Sequence, residues 1–128
     1  MNSVLIVGNW QQRMESLVSI IHIIGDNCSI TSADPVHIWT KLTERQADVL
    51  VVDRWSPSDN IVEMVKAVRR QYPEMRILVL DCFAQRNRSF NLYPADVVLE
   101  SDVPYDKIVD AVSELLSGKP IDRLQPDA

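Results

Sequence analysis

Glycine is scarce in this chain: there are three, at positions 8, 25 and 118. No glycine-rich phosphate-cradling loop can be assembled from them, which argues against a nucleotide or flavin phosphate site. Cysteine is as rare, and Cys28 and Cys82 fit neither a CxxC metal spacing nor a disulfide framework, so both are read as reduced thiols. His22 and His37 have no partner at a metal-binding or nucleophilic spacing and are read as inert surface residues. Thirteen Lys and Arg stand against eighteen Asp and Glu, for a net charge of -5, and no basic run exceeds Arg69-Arg70. That balance argues against a direct nucleic-acid surface. No apolar run approaches eighteen residues and "MNSVLIVGNW" has no basic leader, so the expectation is a soluble, cytoplasmic protein with no membrane contact.

What the 128 residues do contain is a 46% hydrophobic complement, sufficient for one core but too short a chain for two. Five short apolar runs recur, at Ser3–Val7, Cys28–Ala33, Asp48–Asp53, Arg76–Asp81 and Asp96–Glu100. Three of them are apolar at consecutive positions, the pattern of strands covered on both faces. Helical stripes alternate with them. The first carries Met14, Leu17, Val18, Ile21 and Ile24 and stops at Gly25; the second starts at Asp34-Pro35 and buries Ile38, Trp39 and Leu42. The third opens near Ser58 or Asp59 with Ile61, Met64, Val65 and Val68. The last runs from about Pro104 with Ile108, Val109, Val112, Leu115 and Leu116 to Gly118. Between residues 83 and 94 the helical signal is thin, and "KPIDRLQPDA" has no stripe. The domain is therefore taken as 1–118, with 119–128 as a linker or disordered tail.

Strand and helix in alternation predict an α/β fold, a single doubly wound, five-stranded parallel sheet; for the flavodoxin-like order 2-1-3-4-5, strand order reverses between strands one and three. Sites on such sheets lie beyond the carboxyl ends of the strands, next to the point where strand order reverses. The residues there are Gly8, Asn9, Trp10, Asp53, Arg54, Asp81, Cys82, Ser101 and Asp102.

Three motifs, "ADVLVVDRWSP", "EMRILVLD" and "ADVVLESDVPYDKIVDAV", occur in an order and spacing that resembles the chemotaxis-receiver-like receiver domain of bacterial response regulators, over Ser3 to Lys119. The resemblance implies a (βα)5 receiver fold, two-component signal transduction, and a phosphoacceptor position at Asp53 followed by Pro57. It also implies a partly dismantled site. The family's acidic pair, which with the phosphoacceptor holds Mg²⁺, aligns with Gly8 and Asn9. Its hydroxyl residue aligns with Asp81, its lysine with Ser101 and its switch aromatic with Val98.

Phosphoryl transfer rests on cations that neutralise the transferred oxygens, so loss of the acidic pair and the lysine removes the means. Asp81 is expected to worsen matters. Two carboxylates at about 6 Å repel by roughly 3 kcal/mol at an effective dielectric near 20. Arg54 is expected to point to solvent. The resulting expectation is a pseudo-receiver: a non-enzymatic protein-interaction module without cofactor or metal, acting on a protein partner or its own dimer. "SELLSGKPI" resembles the junction into a DNA-binding domain, which would lie outside these residues; a chain ending at Ala128 would instead be a stand-alone adaptor. The alternatives are phosphorylation of Asp53 by a histidine kinase, with Mg²⁺ on Asn9 and Asp81, or a flavodoxin-like ligand-binding protein or enzyme. Further expectations concern the rim. Asp81 either is a solvated strand end or shares a proton with Asp53; Cys82 is read as an ordinary thiol rather than a redox sensor. Trp10 and Trp55 either cover the crevice or anchor a partner, and Arg86, Arg88, Phe90 and Tyr93 form a candidate interaction surface.

Overall fold

The computed structural model describes residues 2–25, 27–54, 60–82 and 93–118. In chain order the elements are β1 (Asn2–Val7), α1 (Gln11–Ile21), a 3₁₀ turn (His22–Ile24), β2 (Cys28–Ala33), a second 3₁₀ turn (Pro35–His37), α2 (Ile38–Glu44), β3 (Val49–Arg54), α3 (Ile61–Gln71), β4 (Arg76–Asp81), β5 (Val97–Leu99) and a last helix, α4 (Tyr105–Leu116). The five strands are all parallel, in the order β2-β1-β3-β4-β5. The expected sheet and order are thus borne out.

Strand alternation divides the core in two. On one face, Val4 and Ile6 of β1, Val49 and Val51 of β3, and Leu78 and Leu80 of β4 pack with Met14, Leu17 and Ile21 of α1 and with Ile108, Val112 and Leu115 of α4. On the other, Leu5, Val7, Leu50, Val52, Ile77 and Val79 pack with Ile38 and Leu42 of α2 and Ile61, Val65 and Val68 of α3. The central strands β1, β3 and β4 carry consecutive apolar residues, Val4–Val7, Val49–Val52 and Ile77–Leu80, because both of their faces are covered. β2 lies at the sheet's edge and is only half-buried.

The boundaries shift in physically simple ways. The first helical stripe ends as α1 and then a tighter 3₁₀ turn, before Gly25 takes up φ +134°, a conformation L side chains rarely adopt. Asp34 and Pro35 do start the second segment, but as a 3₁₀ turn ahead of α2. Trp39 corrects the expected core: it is 41% exposed, because Ile38 and Leu42 alone face the sheet from this short helix. β5 is shorter than its apolar run, and just ahead of it the Asp96 side chain accepts from the Ile77 amide at 2.7 Å while its own amide donates to the Ile77 carbonyl. The Ser58 or Asp59 helix start, the 83–92 stretch and the 119–128 tail lie outside the described residues; α3 is seen from Ile61 with Asn60 ahead of it. No described helix is long and apolar enough to cross a membrane.

Candidate functional site: two buried ion-pair centres at the strand ends

β3 ends with Asp53 and Arg54 on successive positions, so the two side chains leave the sheet on opposite faces. Asp53 continues the face of Val49 and Val51, beneath α1 and α4. Arg54 continues the face of Leu50 and Val52. Arg54 also lies opposite Asp81 in the β3–β4 register, and Asp81 extends the face of Ile77 and Val79.

Each carboxylate meets a guanidinium on its own face. Arg13, from the first turn of α1, places Nε 3.4 Å from both Asp53 oxygens and Nη2 3.4 Å from Oδ1; Nη2 also donates to the Ser101 carbonyl at 2.8 Å. The Arg13 side chain is 7% exposed and that of Asp53 is fully buried. The guanidinium carbon sits 5.8 Å from the centre of the Tyr105 ring, at the start of α4. On the opposite face, Arg54 Nη1 donates to Asp81 Oδ2 at 3.2 Å and to the Tyr93 hydroxyl at 3.0 Å, and that hydroxyl donates to Asp81 Oδ2 at 2.6 Å.

Tyr93 is positioned from outside the sheet. Arg69 of α3 donates from Nε to the Pro94 carbonyl and from Nη2 to Asp96 Oδ2, each at 2.9 Å, while a third contact holds the Met75 carbonyl. This clamp fixes residues 94–96 against β4 and so holds the neighbouring Tyr93 ring in the core, 5% exposed. Burial, then the Asp81 carboxylate, pushes the Tyr93 hydroxyl well above the ordinary phenol range.

The first position after β1 is filled differently. Gly8 is buried, and a Cβ there would run into Met14 Cε, with Met14 Sδ at 3.0 Å and the Asp53 carbonyl at 3.3 Å. A larger residue there would require the Met14 thioether end to shift. A hard divalent cation takes carboxylate, carbonyl and water oxygens. Here β1 offers no carboxylate, both Asp53 oxygens face Arg13, and Asp81 Oδ2 is taken by Tyr93 and Arg54. Among the described residues no group of three His, Cys, Asp or Glu is arranged to hold a metal. Among the described residues, these donors do not fit Mg²⁺.

A family model described as "Flagellar regulatory protein FleQ" matches residues 3–114. The chain belongs to this FleQ family. The comparison with curated proteins returned no match. Solved structures similar to this FleQ-family chain are receivers. A LuxR family DNA-binding response regulator from Silicibacter pomeroyi is 15% identical, with TM-score 0.77 over 93% of this chain and 94% of that one. The response regulator TrrA from Thermotoga maritima, in complex with Mg(2+)-BeF, is 18% identical, with TM-score 0.77 over 90% and 99%. A CheY-like receiver domain protein from Methanospirillum hungatei is 17% identical, with TM-score 0.76 over 92% and 95%. At these identities the likeness establishes the receiver fold.

Several sequence expectations for this FleQ-family receiver need correction. Asp53 and Asp81 do not confront each other across an open crevice: strand alternation sends them to opposite faces, each beside an arginine. Arg54 is 8% exposed, and Asp81 is fully buried rather than a solvated strand end. Loss of a lysine at Ser101 does not leave the site without positive charge, because Arg13 supplies it. Tyr93 is a core residue, which removes it from the proposed interaction surface. Val98 is buried in the core and Ser101 is buried beside Arg13, whereas Asn9 and Trp10 are exposed. Trp55, Arg86, Arg88 and Phe90 lie outside the described residues.

Arg13 is the residue that sequence reasoning missed, although two signals pointed to it. It lies four residues before Leu17, on the edge of the apolar stripe, and it puts a cation in the first turn of a helix, where the macrodipole disfavours one. A cation at such a position calls for a buried anion nearby.

Proposed function

We propose that this chain is the receiver-fold regulatory module of a flagellar regulator, working through a protein partner or its own dimer and not through a Mg²⁺-dependent aspartyl-phosphate cycle. It is not an enzyme on this reading, and any DNA contact belongs to a further domain of a longer regulator. The observation that carries the proposal is that the Asp53 carboxylate is buried against the chain's own Arg13 guanidinium. Acyl phosphate formation needs that carboxylate as an accessible nucleophile, with cations gathered on the incoming phosphoryl oxygens. The guanidinium occupies the approach to both oxygens, and the Mg²⁺ donors are missing at Gly8 and Asn9. Through Asp53 and the Ser101 carbonyl, Arg13 joins the end of β3 to the turn after β5.

The experiment is a two-dimensional amide NMR spectrum with and without Mg²⁺ and beryllofluoride, an acyl-phosphate mimic, repeated on Asp53→Asn. The expected spectrum of the natural chain is unchanged by the additions. Shifts spreading from Asp53 that vanish in the variant would establish a working phosphoacceptor and overturn the proposal.

A further inference from the structure

Building on the reading above, we propose that Arg13 is a resident cation whose seat is selective for a guanidinium group, and that it acts as the positioning residue for Asp53. The seat is made of groups from three elements. The Asp53 carboxylate, at the end of β3, faces Arg13 Nε and Nη2; the Ser101 carbonyl, after β5, accepts from Nη2 at 2.8 Å; and the Tyr105 ring lies 5.8 Å from the guanidinium carbon. A carboxylate and a carbonyl that both accept from a flat, forked donor, beside an aromatic ring, match a guanidinium and not a compact ammonium. Among the described residues the seat pairs its carboxylate with a guanidinium, and no group of three His, Cys, Asp or Glu gathers there for a divalent ion.

The energetics favour the same assignment. A buried carboxylate is costly unless it is paired and hydrogen-bonded. The first turn of α1 does not favour a cation for its own sake, and Asp53 and the Ser101 carbonyl both accept from the guanidinium there. The seat opens to solvent through a cleft of about 550 Å³ between α1 and the turn into α4, with Arg13 and Ser101 among its lining residues and the exposed Trp10 and Tyr105 beside them. Truncation of the Arg13 side chain therefore leaves a hole that a small guanidinium compound can enter from this cleft.

The test is chemical rescue of Arg13→Ala. Ethylguanidinium, ethylammonium and Mg²⁺ are titrated separately while the thermal midpoint and the Ser101 and Tyr105 amide signals are followed. Ethylguanidinium is expected to give a saturable rise, favouring the native state by about elevenfold at ten times its Kd. Ethylammonium and Mg²⁺ are expected to leave the variant unmoved. A folded Arg13→Ala that ignores ethylguanidinium, or that responds equally to ethylammonium, overturns the inference. If Arg13→Ala does not fold, the natural chain decides: its Arg13 Nε–H is expected to give a slowly exchanging NMR signal that disappears in Asp53→Asn, and a fast-exchanging signal in the natural chain overturns the inference. The two ideas fail separately, since a beryllofluoride response of the natural chain sinks the proposed function, whereas a guanidinium-blind variant sinks only the resident cation.

Discussion

The Tyr93 hydroxyl donates to Asp81 Oδ2 at 2.6 Å, and the same carboxylate oxygen accepts from Arg54 at 3.2 Å. Two donors thus converge on one oxygen of a fully buried carboxylate, one from the neighbouring strand and one from the chain leading into β5. The arrangement ties three parts of the chain together on the face opposite Asp53.

Tyr93→Phe removes the hydroxyl and keeps the ring. It is expected to cost about 2 kcal/mol, the scale of a hydrogen bond to a charged acceptor, read from urea denaturation at neutral pH. The pH dependence has a definite sign. The folded-state pKa of Tyr93 is raised, so above the ordinary value of 10.0 the unfolded chain loses its proton while the folded chain keeps it. Stability is therefore fully present below about pH 10 and falls as pH rises further. The difference between the natural chain and Tyr93→Phe should shrink across that range. A difference that stays constant above pH 10 contradicts the assignment.

Arg54→Met removes the guanidinium from beside the buried Asp81 carboxylate and leaves it the Tyr93 hydroxyl. Removing one partner of a buried pair costs about 3–5 kcal/mol, whereas replacing both with apolar residues costs far less. Arg54→Met combined with Asp81→Leu is thus expected to be more stable than Arg54→Met alone. Chemical denaturation of the two single variants and the double variant gives the coupling directly. Additive losses would mean that the pair does not interact.

Cys82 is half-buried, and burial, followed by the Asp81 and Asp53 charges, raises its thiol pKa. Buried Cys28 is raised as well, by burial and then by Asp48. Since the thiolate is the reactive form, iodoacetamide at pH 8 should alkylate both more slowly than free cysteine. Mass spectrometry of the digested protein resolves the two sites. Rapid labelling of Cys82 would revive a redox role for it.

Much of the architecture is legible in the sequence. Consecutive apolar residues at Val49–Val52 and Ile77–Leu80 require cover on both faces, and only helices on either side of a parallel sheet provide it. β2 and β4 have the limits their apolar runs predict, because turn and polar residues bound them sharply. Asp53 at the end of β3 was equally readable. The charge balance around it was not, since Arg13 is 40 residues away in sequence and Tyr93 reaches Asp81 only through the clamp made by Arg69.

By itself, then, the sequence determined the alternation of elements and the position of Asp53 at a strand end, because periodicity and turn chemistry act over a few residues, while the strand order came with the family resemblance. Tertiary structure alone decided which cation faces which carboxylate. Strand parity sent Asp53 and Asp81 to opposite faces, and helix packing brought Arg13 onto the first while the β3–β4 register set Arg54 against the second. Electrostatic pairing depends on distances between groups far apart along the chain, and those distances exist only once the core has closed.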